Sequence, residues 1–416
     1  MPFTDRRSAP ALVPAATFAA MNDARGISGA QIGILSAGAG VCVANIYYNQ
    51  PILNDIARDL GLSEGATGYL PVLTQAGYGL GLLLLTPLGD KTDRKRLILL
   101  LQGALIVVLL LLTQVRHPAG LFALSFATGV FATATQVLMP MAAALARRDK
   151  GKIVGIVFTG ALVGILGARI FSGAVAGWLG WRWVYGLSAG LLVLTSLLVA
   201  FGLPRVAATY SGSYVGLIRS TVAQLGRFAR LRRIVLLGAL VFGTFCSFWT
   251  TLTFHLSGPP FRYGAKTIGL FGFLAIGGAA ASTPFGRLAD RMPPSRIQLF
   301  TVLILIASVL WIFFFPQSPA AFIGATVLLD VGVQATQVNN LAQVYSLDEA
   351  AHSRINTVYM TCMFIGGAFG TWAGVQCWSL GGWTGVSVQL LLWSALALLV
   401  ALVGYRSYLR HAKKRI

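Results

Sequence analysis

Two residues with formal charge stand well inside long apolar runs: Asp330 and Arg169. A charge at bilayer depth costs about 2.5–3.5 kcal/mol on insertion scales, so it is kept mainly where it has a function. Asp330 lies about 11 residues into its run, roughly 16 Å deep at a rise of about 1.5 Å per residue and so near the midplane of a bilayer. Gln334 and Gln337 follow at i+4 and i+7, which puts all three on one helix face. Burial makes the ionised form of a carboxyl costly, and such a group can take up and release protons. Asp330 is therefore the candidate for proton coupling or substrate binding; the plainer alternative is a structural partner for an arginine or a backbone group. Arg169 lies roughly 17 residues into its own run, nearer the surface at which that run ends. It could hold a substrate anion, pair with a carboxylate such as Asp330, or fix an interface between helices. Counted this way the two charges differ in depth, which leaves direct pairing open.

Uncharged polar residues cluster in other runs. Asn45, Tyr48 and Asn49 share a face, with Tyr47 and Gln50 beside them, and Pro51 ends or kinks the run. Thr244, Ser247, Thr251 and His255 recur at helical spacing near Trp249, and Gln136 follows Thr133 and Thr135. Together these faces are consistent with a wet cavity. Interhelical hydrogen bonding draws on the same residue types.

Such positions have meaning only if the runs are membrane helices, and the composition says they are. Of 416 residues, 56% are hydrophobic and 11% charged, against roughly 25% charged in a soluble domain. The mean hydropathy is +0.74. A spanning helix needs about 20 mostly apolar residues. About twelve segments qualify, near 31–54, 66–89, 96–115, 119–146, 152–178, 181–202, 232–256, 266–289, 295–315, 319–346, 353–379 and 382–405. Runs such as Leu97 to Leu112 do not alternate in polarity, which excludes barrel strands.

The net charge of +20 raises the question of a nucleic-acid partner, and its distribution answers it. About 26 of the 32 Lys and Arg fall on one side when assigned by helix number, which puts both termini in the cytoplasm. The basic charge then serves topology and anionic-lipid contact rather than nucleic acid. Cys42, Cys246, Cys362 and Cys377 each lie in an apolar run without a CxxC pattern, so they read as small buried residues. Arg6 and Arg7 give only a weak twin-arginine signal.

The chain repeats itself at an offset of about 200 residues. Gly286-Arg287-Leu288-Ala289-Asp290-Arg291 stands between two apolar runs, and Thr86 to Arg96 occupies the same place earlier. Asp90 then aligns with Asp290, and Lys91 with Arg291. Thr135-Gln136-Val137 repeats as Thr336-Gln337-Val338, and Gly180-Trp181 as Gly382-Trp383. The expected organisation is a cytoplasmic tail (1–30), a six-helix bundle (31–202), a basic cytoplasmic linker (203–231), a second bundle (232–405) and a basic tail (406–416). Within the linker, Leu217 to Phe228 could form an amphipathic interfacial helix.

At these residues the chain resembles the major facilitator superfamily, whose signature between spans two and three runs roughly G-x-L-A-D-R-x-G-R-K. Gly286 to Arg291 matches its first half. The N-terminal copy keeps Asp90, Lys91, Arg94 and Lys95 but has Thr86 and Asp93 where the signature has glycines. Gly160, Gly164, Gly167 and Gly173 resemble the glycine-rich span-five signature of the antiporter branch, with Ala168-Arg169 where a proline is usual. The arginine usual in span four is absent. The resemblance implies an all-α membrane protein of twelve transmembrane helices in two pseudo-symmetric six-helix bundles, with spans one, four, seven and ten around the cavity. It also implies that Asp90, Lys91, Arg94, Gly286, Asp290 and Arg291 form a cytoplasmic gate, a latch of the outward-facing state. A plain topogenic loop is the alternative.

No Walker A motif, HExxH or paired cysteine cluster occurs. The chain reads as a secondary transporter, not an enzyme, with the proton gradient as energy source and no cofactor or metal. The expected activity is proton-coupled efflux of a small organic molecule by alternating access. A proton-coupled uptake symporter is the alternative, and a non-transporting receptor or assembly factor on the same fold a more distant one. Its expected setting is the bacterial inner membrane, as a monomer whose partners are substrate, protons and lipids.

Overall fold

The computed structural model describes residues 26–208, 210–281, 292–348 and 351–413, and every regular element among them is helical. Among the described residues, nine helices are long and apolar enough to cross a membrane. Two shorter apolar ones, α1 (Gly29–Ala44) and α9 (Ala265–Ala281), accompany them. The others are α2 (Glu64–Lys91), α3 (Arg94–Gln114), α4 (Pro118–Leu145), α5 (Lys150–Leu179), α6 (Trp181–Gly202), α8 (Ala229–Ser257), α10 (Pro294–Phe314) and α11 (Pro319–Tyr345), with the final helix His352–Lys413. That last helix breaks at Gly381 and Gly382. Gly382 has φ 56 and ψ −145, a conformation open essentially to glycine alone. The break separates α12 (352–380) from α13 (383–413). The amphipathic α7 (Tyr214–Arg227) and a short helix at Leu53–Leu60 complete the described set.

Two boundaries differ from expectation. The first apolar run does not continue as one helix to residue 54. Beyond Ala44 it proceeds by tighter turns, with Ile46 N–H donating to Val43 O and Tyr47 N–H to Ala44 O, before a short 3-10 turn at Gln50–Ile52. Asn45 Nδ2 donates to the Val41 carbonyl at 2.8 Å, a side-chain bond that competes with the helical ladder, and Pro51 supplies no donor. The linker helix starts at Tyr214 because Ser213 Oγ accepts from Gly216 N–H at 3.1 Å and caps it. Gly286, Asp290 and Arg291 of the C-terminal charged turn lie outside the described residues, as do Arg6 and Arg7.

Packing follows the small residues. α5 crosses α1 where a Cβ on Gly164 would sit 2.2 Å from Gly40 O, and it crosses α9 where one on Gly173 would sit 2.9 Å from Gly269 Cα. The span-five glycines thus let one helix approach neighbours on two sides. α2 packs on α4 and α3 on α6; α8 packs on α12 and α13, and α10 on α11. Two packings join apolar helices of the first half of the chain to apolar helices of the second: α5 with α9, and α2 with α12. Along the second, Thr371 Oγ1 donates to Gln75 Oε1 at 2.9 Å, Gln376 Nε2 to Tyr69 Oη at 2.9 Å, and Trp378 Nε1 to Glu64 Oε2 at 2.8 Å. Glu64 is therefore a tie between distant helices.

Candidate functional site

α5 carries Arg169 into the middle of the molecule, where it is 1% exposed. Its Nε donates to Gln50 Oε1 at 2.9 Å. Its guanidinium carbon lies 3.9 Å from the ring centre of Trp249, 5.2 Å from that of Tyr47 and 5.6 Å from that of Phe245. A cation over aromatic faces is attracted by their quadrupoles, which offsets part of the desolvation cost. Both Nη atoms are buried and have no hydrogen-bond partner. Gln50 Nε2 and Trp249 Nε1 are likewise buried and unpartnered. Four donor atoms therefore share one neighbourhood with no described acceptor.

Asp330 in α11 is also 1% exposed, and neither of its carboxylate oxygens has a hydrogen-bond partner. Asp330 and Arg169 act on each other through space without forming an ion pair within 4 Å. The depth difference expected from the sequence came from counting Arg169 from the wrong end of a long helix. α5 has 30 residues, about 45 Å at 1.5 Å per residue, more than a bilayer core requires. Its C-terminus and the N-terminal end of α11 lie on the same side of the molecule, where α8 ends and α9 begins: Gly177 and Gly180 adjoin Asp55 and Ala265, and His255 reaches Pro316 and Phe322. Counted from that side, Arg169 and Asp330 lie roughly 15 and 16 Å deep.

The other sequence-selected polar residues are mostly engaged. Asn45 Oδ1 accepts from Ser188 Oγ of α6 at 2.9 Å, and Asn49 Nδ2 donates to Thr74 Oγ1 of α2 at 3.1 Å. Gln136 Nε2 donates to Tyr78 Oη at 3.3 Å, and Ser247 Oγ to Gln389 Oε1 of α13 at 2.8 Å. Thr244 and Thr251 donate back to their own helix, at the Leu240 and Ser247 carbonyls. Tyr48 packs on Phe171, with ring centres 5.4 Å apart. Gln337 Nε2 approaches Met363 Sδ at 3.6 Å, and Gln334 is half-buried. Gln50 and Trp249, noted only as neighbours in the sequence, stand closest to Arg169. Their contact joins α1's continuation, α5 and α8, helices too remote in sequence for any spacing rule to link.

His255, on the polar face of α8, lies within a ring cluster of Phe261, Phe322, Trp378 and Trp383. Trp181 and Trp383, which open the two repeated spans, are buried at 4% and 6% exposure, whereas Trp183 is exposed.

At the basic end, the N-terminal charged turn is ordered around Arg94, which is 8% exposed. Arg94 Nη2 pairs with Asp90 Oδ1 at 3.0 Å, Nε donates to Gly89 O at 3.0 Å, and Nη1 donates to Pro140 O of α4 at 3.1 Å. Main-chain bonds tie the turn to the linker: Arg94 N–H donates to Val206 O and Tyr210 N–H to Asp90 O. Lys95 Nζ donates to the Ala200 and Leu203 carbonyls at the end of α6, at 2.6 and 2.7 Å. A small cleft beside Asp90 is walled by Leu217 of α7 and by Ser353, Arg354 and Thr357 of α12. Lys91 forms the last turn of α2.

The sequence matches the family model described as Major Facilitator Superfamily over residues 35–371 and 270–414. The chain belongs to the major facilitator superfamily. It is 37% identical over 390 residues to "Uncharacterized transporter YgaY" of Escherichia coli O157:H7, covering 92% of this chain and 97% of that protein. It is 29% identical to "Probable transporter SCO4007" of Streptomyces coelicolor, covering 94% and 95%. The fold is similar to that of the nucleoside transporter NupG, with TM-score 0.68, 14% identity and coverage of 90% and 98%. It is also similar to a bacterial homologue of the lysosomal transporter Spinster in an inward-facing, unoccupied conformation, with TM-score 0.70, 15% identity and coverage of 91% and 97%. The protein is thus an integral membrane transporter of this superfamily with bacterial relatives, and not an enzyme.

Proposed function

We propose that this superfamily member is a proton-coupled secondary transporter that exports a small organic molecule across the bacterial inner membrane by alternating access. In this reading both termini are cytoplasmic and the chain works as a monomer. Two pseudo-symmetric six-helix bundles, 31–202 and 232–405, rock about a site near the midplane, with 203–231 as linker. One observation carries the proposal: Asp330 and Arg169, both 1% exposed, leave their carboxylate oxygens and Nη atoms without hydrogen-bond partners. A static scaffold would satisfy such groups, because unpartnered buried polar atoms are costly. A carrier leaves them open for substrate and proton.

Asp330 takes the proton, and protonation shifts the balance between the two access states because the states bind it differently. Arg169, Gln50 and Trp249 offer donors, which favours a substrate with a carboxylate or a similar acceptor and an apolar or aromatic body against Tyr47 and Phe245. Gln334 and Gln337 share the Asp330 face. Asp90, Lys91 and Arg94 form the cytoplasmic latch, with Gly286, Asp290 and Arg291 as its second-half counterpart.

The test is flux in reconstituted vesicles against a panel of small organic acids and neutral solutes, with and without a pH gradient. Substrate moving against the proton flow supports export, and co-movement supports the symport alternative. Asp330→Asn should abolish gradient-driven flux while the protein remains folded. Unchanged flux removes Asp330 from the mechanism, and the absence of any gradient-driven solute flux removes the coupling itself.

A further inference from the structure

Remote from the central site, a cavity of about 1120 Å³ opens at the basic end between α8, α10, α11 and α13. Its head is cationic: Arg230, Arg232 and Arg233 line it, and none of its described lining residues is acidic. Two helices begin there, α8 at Ala229 and α10 at Pro294. Helix N-termini carry partial positive charge and free N–H groups.

Three polar atoms in this head are buried without partners: Ser295 Oγ, Gln343 Nε2 and Arg233 Nε. Ser295 is 6% exposed and Gln343 3%. Arg230 Nη2 already donates to Gln343 Oε1 at 3.0 Å, which orients the amide, and Arg232 Nη1 donates to the Leu225 and Gly226 carbonyls near the end of α7. Arg233 has no such bond, and its side chain lies over Gly404, where a Cβ would sit 3.0 Å from Nε. Below the charged head the wall turns apolar, with Leu236, Leu399 and Val403 exposed at 51%, 58% and 62% on membrane-crossing helices. Tyr408 stands at the rim.

We propose that this cavity binds the phosphodiester headgroup of an anionic phospholipid, with acyl chains lying along Leu236, Leu399 and Val403. Arg233, Ser295 and the Gln343 amide donate to the phosphate, the two helix N-termini add their dipoles, and Arg230 and Arg232 supply surrounding charge. A free inorganic anion would use only the head and leave the apolar wall uncovered. A lipid fills both with one molecule, on a surface that already faces the bilayer. The site lies away from Asp330, so the assignment stands whether or not transport is proton-coupled.

The test is native mass spectrometry of the purified full-length protein in detergent, titrated with phosphatidylglycerol or with phosphatidylcholine. Phosphatidylglycerol should be retained preferentially. Arg233→Gln should weaken its binding about fivefold, the contribution of one basic residue near an anionic lipid surface. Ser295→Asp puts a carboxylate in the first turn of α10, which favours the helix by itself but repels phosphate; it should stay folded and lose the preference. Arg116→Gln, at an exposed position on the opposite side, should change nothing. Equal binding of the two lipids, or parental affinity in Arg233→Gln, would overturn the proposal. Displacement of the lipid by millimolar inorganic phosphate would give the cavity to a free anion and overturn the lipid assignment.

Discussion

Removing one of the two central charges should destabilise the protein, and removing both should restore part of the loss. In Asp330→Asn, Arg169 keeps a buried guanidinium whose two Nη atoms have no partner. Removing one member of a buried charge pair costs about 3–5 kcal/mol where the partners touch. Here they stay more than 4 Å apart. Two unit charges 4 Å apart attract by about 4 kcal/mol at an effective dielectric of about 20, so that figure is a ceiling. The aromatic faces of Trp249, Tyr47 and Phe245 offset another ~1–2 kcal/mol of the guanidinium's cost. Asp330→Asn should therefore cost about 1–3 kcal/mol, and Arg169→Gln/Asp330→Asn should cost less than the sum of the singles by a similar amount. The assay is reversible denaturation in mixed micelles of the parent, both singles and the double. The coupling is between two charges, so it is present where the carboxyl is ionised and fades on the acid side of its titration. Repeating the cycle at pH 5 and pH 8 checks this. Additivity within about 0.5 kcal/mol at every pH would refute the view that Asp330 balances Arg169.

Gly164→Ala should cost about 1–3 kcal/mol by overpacking, because its Cβ would meet the Gly40 backbone at 2.2 Å. Gly155→Ala in the same helix meets nothing within 4 Å and should be neutral or stabilising by up to about 1 kcal/mol; thermal melts of the two variants test the contrast. Gln75→Leu with Thr371→Val should reveal a coupling of about 0.6 kcal/mol, the mean for membrane interhelical hydrogen bonds, read from a double-mutant cycle on denaturation. Arg94→Ala removes the side chain that holds Asp90, Gly89 and Pro140, and should raise thiol labelling of a cysteine placed at Thr357 beside the same cleft. Unchanged labelling would show that Arg94 does not hold the basic end shut.

The apolar runs made the helices legible, because lipid leaves a spanning segment few alternatives to a helix. Helix ends were less so. The end of α1 depends on Asn45 competing for main-chain carbonyls, and the onset of α7 on the Ser213 cap; both are local bonds that a hydropathy reading does not see. Asp330 and Arg169 stood out because a charge in an apolar run is visible by itself. Their surroundings were hidden, since Gln50 and Trp249 reach Arg169 only through three-dimensional packing. For the polar faces of α1 and α8, residue type was a poor guide to use. Asn45, Asn49 and Ser247 bond to neighbouring helices, and Thr244 and Thr251 to their own backbone. A hydroxyl or amide reads the same in sequence whether it faces a solute or another helix.

The linker that follows α6 is stitched to the charged turn by peptide groups, through Arg94 N–H to Val206 O and Tyr210 N–H to Asp90 O. Peptide groups are indifferent to side-chain identity, so this seam can survive extensive drift in the letters it is written with. A mutational scan would find Tyr210 permissive toward most replacements and intolerant of proline, which lacks the N–H. This main-chain clamp on the charged turn would then look dispensable by every measure except the one substitution that edits the backbone itself.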